Sequence, residues 1–88
     1  MKLKDGVIFT KVAEETIVVT VGEAAEAFRG MIKLNGTGTF IAENMLQETT
    51  KEELVAALRR EYDVDEALAD QAVQSIIDKF ESVGLITQ

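Results

Sequence analysis

Gly30-Met31-Ile32-Lys33-Leu34-Asn35-Gly36-Thr37-Gly38-Thr39-Phe40-Ile41 is the stretch in which the chain changes its period. Up to Leu34 the apolar residues alternate, with Ile32 and Leu34 on one side and Met31 and Lys33 on the other, as in a strand. From Asn35 onward Phe40, Ile41, Met45 and Leu46 recur at the spacing of a short helix. Asn35 suits the start of that helix, because its side chain can accept a backbone N–H. The chain before the switch reads as sheet, and the chain after it as helix.

On the N-terminal side, Ile8 to Val12 and Thr16 to Val21 are two β-rich runs, with Glu14-Glu15 at the turn between them. Ile17, Val19 and Val21 alternate with Val18 and Thr20, so one face of this strand is better buried than the other. Gly22 closes the pair. A third run spans Ala27 to Lys33, in which Phe28 joins the side of Ile32 and Leu34 while Arg29 joins that of Met31 and Lys33. On the C-terminal side, Thr50 and Glu53 form a T-x-x-E capping box. Leu54, Val55, Leu58 and Tyr62 come next at intervals of three and four. Asp65 caps a last helix with a broad apolar stripe: Ala69, Ala72, Val73, Ile76, Ile77, Phe80 and Val83. Gly84 followed by Leu85 suits a Schellman stop. The expectation is a single α+β domain over 1–88, without linker or repeat. It has antiparallel strands near 7–13, 16–22 and 27–33, then helices near 36–46, 51–62 and 66–83.

Composition narrows the function classes. With 88 residues, the chain buries only roughly 60–65% of its unfolded surface, which makes a dimer or a large partner physically attractive. Nine Lys+Arg face sixteen Asp+Glu, for a net charge of −7. A nucleic-acid binder draws its non-specific affinity from neutralising phosphates, so no nucleic-acid partner is expected. No apolar run is long enough to cross a membrane, and Met1-Lys2-Leu3-Lys4-Asp5 lacks the apolar core of a signal peptide. The expected compartment is the cytoplasm, in agreement with the absence of Cys.

The chain also has no His, and no constellation of its residues reads as catalytic. Gly36-Thr37-Gly38 opens like a dinucleotide fingerprint, but Ile41 stands at the third glycine position and there is no room for a βαβ unit. Those glycines read instead as a sharp strand-to-helix turn. Asp63-Val64-Asp65-Glu66 opens like a calcium loop, but Leu68 replaces the glycine of its sixth position, so helix capping is the better account. Ser75 and Ser82 have no His to activate them, and carboxylate pairs such as Glu52-Glu53 read as solvated. No metal and no cofactor is expected.

Binding remains. An exposed third strand can take up an extended peptide as an added strand. One wall of the resulting groove is Phe28, Arg29, Gly30, Met31, Ile32 and Lys33, where Gly30 allows close backbone approach and Arg29 and Lys33 offer charge partners to acidic side chains. The other wall is the last helix at Ala69, Asp70, Val73 and Ile77, where the Val73 and Ile77 flank reads as broader than core packing requires. On this reading Ile77→Asp weakens peptide binding far more than Arg29→Ala and leaves the fold largely intact. A second copy of the domain is an alternative occupant of the edge.

These residues resemble the PqqD family. The resemblance rests on Arg29-Gly30-x-x-x-Leu34-Asn35-x-Thr37-Gly38-x-x-Ile41, on Thr50-x-x-Glu53-Leu54-x-x-x-Leu58-x-x-x-Tyr62-Asp63-Val64, and on a closing helix to Gly84-Leu85, nearly the whole chain. It implies a winged-helix-turn-helix-like domain, often called a RiPP recognition element. Such domains bind the leader of a ribosomally made precursor peptide and present it to a modifying enzyme, commonly a radical-SAM protein. The namesake acts in biosynthesis of the cofactor pyrroloquinoline quinone. By the same resemblance the leader lies along the third strand and against the third helix. A winged-helix DNA-binding regulator and a dimerisation module without peptide ligand are the competing classes.

Overall fold

The computed structural model describes residues 1–87. Its elements run β1 Lys2–Leu3, β2 Val7–Val12, β3 Glu15–Thr20, α1 Gly22–Ala27, β4 Ile32–Leu34, α2 Gly36–Glu43, α3 Lys51–Glu61, α4 Glu66–Ser82 and β5 Ile86–Thr87. The period switch at Asn35 is real: an antiparallel three-stranded sheet in the order β2-β3-β4 precedes α2, α3 and α4.

The hairpin of β2 and β3 turns at Ala13-Glu14, one residue earlier than expected, with Val12 opposite Glu15. Ala13 takes a φ of 58°, a left-handed conformation that costs a non-glycine residue roughly 1–2 kcal/mol. The better-buried face of β3 is that of Thr16 and Val18, while Ile17 and Val19 are half-exposed on the outer side.

The third run departs from expectation. Ala27 to Lys33 is not one strand: α1 takes its first residue, and β4 begins only at Ile32. Gly22, at a φ of 58°, swings the chain out of β3. The alanine-rich stretch after it has high helix propensity and no β-branched residue to oppose it. Ala24 is completely buried and its N–H donates to the Asp5 carbonyl at 3.1 Å, which docks α1 on the β1–β2 connection. Phe28 is the C-cap of α1, not a strand residue. The small pairing of β1 with β5, Lys2 opposite Thr87 and Leu3 opposite Ile86, lies outside the expected topology too. Strands of two residues are too short to show a period.

The helix signals hold. Asn35 Oδ1 accepts from the Gly38 N–H at 2.7 Å, Thr50 Oγ1 from the Glu53 N–H at 3.2 Å, and Asp65 Oδ1 from the Leu68 N–H at 2.8 Å. Gly84, at a φ of 75°, ends α4 in a Schellman motif, with Leu85 N–H donating to the Phe80 carbonyl and Gly84 N–H to that of Glu81, each at 3.0 Å. The core lies between the sheet and the helices, with Val18, Ile32 and Leu34 facing Ile41, Leu54, Leu58, Val73 and Phe80. Full burial of such side chains contributes roughly 1.5–3 kcal/mol each. Phe40 and Tyr62 meet edge to face, with centroids 5.7 Å apart, and join α2 to the end of α3.

Candidate functional site

β4 pairs with β3 on one side only, and the hairpin dictates which of its backbone groups are left free. In an antiparallel pair, bonded and non-bonded residue pairs alternate, and Val12 with Glu15 closes the turn as a bonded pair. The Val21 N–H donates to the Gly6 carbonyl at 2.8 Å, in phase with that alternation. Glu15, Ile17, Val19 and Val21 therefore turn their backbone groups to β2, and Thr16 and Val18 turn theirs to Leu34 and Ile32, their register partners. Lys33 is left with both N–H and C=O directed away from the sheet.

Beside that edge lies a groove of about 240 Å³, with Lys33 and Leu34 on the strand side and Ala72, Ser75, Ile76 and Lys79 on the α4 side. The start of α2, at Asn35, Thr37 and Gly38, also lines it. Leu68, 57% exposed, lies one turn before Ala72 on the same flank of α4. The arrangement offers an extended chain free backbone partners on one side and a lightly apolar helix flank on the other.

The residues singled out from sequence divide. Met31, 68% exposed, immediately precedes β4, and Lys33 lies on it, both at the open edge. Ile32 also belongs to β4, but its side chain is buried inward. Phe28 and Arg29 belong to the end of α1: the Phe28 carbonyl accepts from Thr20 Oγ1 at 2.6 Å, and Arg29 Nε donates back to the Ala25 carbonyl at 3.1 Å. Gly30 does permit a close approach, but by the Phe28 ring, since a Cβ there would stand 2.7 Å from it.

On α4, Ala69 and Val73 are 0% exposed and Ile77 is 7% exposed, so this flank is core and not a surplus face. A carboxylate at Ile77 would stand in the core without a partner, which goes against the expectation that Ile77→Asp leaves the fold largely intact. Asp70 looks toward α3, where it pairs with Lys51 at 3.1 Å. The groove instead uses the flank of Ala72, Ser75, Ile76 and Lys79, which sequence reasoning passes over. The available signal is Leu68, an exposed apolar residue one turn before Ala72, on the flank that Ser75 and Lys79 mark as reaching solvent.

A wider concavity of about 630 Å³ separates α3 from α4. Ion pairs Lys51–Asp70 at 3.1 Å and Arg59–Glu66 at 4.0 Å span it, and no strand edge borders it. Among the described residues no group of three or more His, Cys, Asp and Glu stands close enough to hold a metal ion, and no helix is long and apolar enough to cross a membrane.

Residues 12–86 match the family described as coenzyme PQQ synthesis protein D, PqqD. No curated protein matches the chain significantly. Among solved structures, "TbiB1 in Complex with the TbiA(beta) Leader Peptide" is similar with a TM-score of 0.74 at 20% identity, over 97% of this chain and 93% of that one. "Lasso peptide synthetase B1 complexed with the leader peptide" is similar with a TM-score of 0.71 at 15% identity, over 99% of this chain and 96% of that one. The fold expected from the resemblance is thus the fold observed, extended by α1 and by the β1–β5 pair. Because the family match takes in β3, β4, the groove and all three principal helices, the chain belongs to the PqqD family.

Proposed function

We propose that residues 1–88 act as one domain, a non-catalytic cytoplasmic adaptor that binds the leader of a ribosomally made precursor peptide. The leader joins the sheet as a strand on β4, and the adaptor presents it to a modifying enzyme, of the radical-SAM type by family resemblance. The observation that carries this reading is the free backbone of Lys33 at an edge faced by a groove. Main-chain hydrogen bonds supply affinity in such strand addition, and side-chain pockets supply selectivity. Family membership supports it, as does the fold shared with two proteins described in complex with leader peptides. Met31, Ile32 and Lys33 form the strand wall, and Ala72, Ser75, Ile76 and Lys79 the helix wall. Without peptide, the same edge is open to a second copy of the domain.

The DNA-binding alternative finds no support. As a recognition helix, α4 would bring Glu66, Asp70, Asp78 and Glu81 with a single Lys79 toward the phosphates, and like charges there repel.

The test is an NMR titration of the ¹⁵N-labelled chain with the leader of a short precursor reading frame from its own gene neighbourhood. Shifts are expected to cluster on 31–34 and 72–79. Shifts confined to the β2–β3 hairpin or to α3 would overturn the assignment of the groove.

A further inference from the structure

We infer that the ligand of the β4–α4 groove is an acidic extended segment, with a carboxylate side chain facing Lys79 two positions from an apolar side chain over Ala72, and a second carboxylate, on the opposite face of the added strand, beside Lys33. The inference rests on the strand-addition reading and adds to it the chemical class of peptide selected.

Charge distribution carries it. The chain has sixteen Asp+Glu against nine Lys+Arg, yet the groove is lined by two lysines and no carboxylate. The other concavities are mixed: Lys51 and Arg59 share theirs with Glu52, Glu66 and Asp70, and Lys11 shares its own with Glu14, Glu15 and Glu43. Lys51 and Arg59 are already matched, in ion pairs with Asp70 and Glu66. Among the described residues Lys33 and Lys79 enter no ion pair. Asp78, the carboxylate next to Lys79 in sequence, is held by the Gln74 amide at 2.8 Å on a flank of α4 turned away from the groove. The charge of the rest of the domain does not cancel this local field, because the Debye length is about 8 Å at physiological ionic strength.

Shape supplies the second half. Ala72 and Ser75 are small, so the α4 wall recedes between Leu68 and Lys79. Alternate side chains of an added strand point the same way, so residues i and i+2 of the ligand both turn toward α4. One meets the apolar stretch at Ala72 and Ile76 and the other meets Lys79, while residue i+1, on the opposite face with Lys33, meets that lysine.

The probe is a random peptide library displayed on phage, panned against the full chain and against the Lys33→Glu/Lys79→Glu variant. Both lysines are exposed, and circular dichroism verifies that the variant folds. Peptides selected by the parent are expected to carry Asp or Glu two positions from an apolar residue. Replacing those acids by Asn or Gln is expected to weaken binding about tenfold, since each exposed ion pair contributes modestly, and the loss shrinks at high salt. Selection on the variant is expected to favour Lys or Arg instead. Peptides that shift groove resonances without any acidic bias would overturn the charge inference and leave the adaptor reading standing. No selected peptide, or peptides that shift only resonances outside 31–34 and 72–79, would overturn both.

Discussion

The Cδ1 methyl of Ile76 lies against Gly38, so close that a Cβ on that glycine would stand 3.1 Å from it. This contact seats α4 on the first turn of α2 and sets the depth of the groove that both line. A Cβ would also stand 3.2 Å from Asn35 Oδ1, which the Gly38 N–H already holds at 2.7 Å. The methyl, at the end of a flexible side chain, is the partner that gives way. Gly38→Ala is therefore expected to leave stability within about 1 kcal/mol of the parent, the helix-propensity gain offsetting the crowding. It displaces Ile76 and lowers peptide affinity. Methyl NMR reads the contact directly: an unmoved Ile76 δ1 resonance would show that the two residues do not press on each other.

Ile77→Asp is expected to unfold most of the protein. Losing a buried Ile side chain costs about 2–5 kcal/mol, and burying a carboxylate without a partner costs several more. Together they exceed the roughly 5 kcal/mol at the lower end of domain stability, where so small a domain belongs. Ala72→Asp is the informative substitution, since Ala72 is only half-buried on the groove flank. It is expected to keep the melting curve and lose peptide binding. Thermal melts and titrations on the two variants separate core from groove.

The contrast shows what the chain's pattern makes legible. The strand-to-helix switch, the caps at Asn35, Thr50 and Asp65, and the stop at Gly84 are local signals, each carried by a few neighbouring residues, and each is readable. The apolar stripe of α4 is readable as a stripe, but not how it divides between core and groove. That division depends on how far α2 and α3 wrap around the helix, a matter of packing between distant segments. For the same reason no local pattern assigns Asp70 to the α3 side, where it pairs with Lys51. Helix α1 escapes sequence reading because Phe28 extends an apparent alternation across a stretch whose alanines favour helix.

Asn35→Ala and Asp65→Ala remove comparable caps with different consequences. Each is expected to cost about 1 kcal/mol, which lowers the melting temperature by about 4–8 °C in a domain of this size. Asn35 also lines the groove and holds the first turn of α2 in place, whereas Asp65 caps α4 and lines none of the described pockets. Asn35→Ala is therefore expected to weaken peptide binding beyond its effect on stability, and Asp65→Ala to leave affinity unchanged. Equal losses of affinity would mean that the groove does not reach the α2 cap.

The phase of the sheet makes the sharpest prediction. With Val21 bonded to Gly6 at 2.8 Å, the alternation assigns the N–H groups of Ile32 and Leu34 to the ladder with β3 and leaves that of Lys33 to solvent. In the free chain, amide hydrogen exchange at Lys33 is expected to be fast between two slow neighbours. A strand added along β4 engages the Lys33 N–H and C=O, and each such bond contributes roughly 0.5–1.5 kcal/mol net. Exchange at Lys33 is then expected to slow on peptide binding, while Ile32 and Leu34, already protected, change little. NMR-detected exchange with and without peptide follows all three amides at once. Slow exchange at Lys33 in the unliganded chain would mean a ladder slipped by one residue or an edge already covered. Unchanged fast exchange in the complex would mean that the peptide binds by side chains alone and adds no strand.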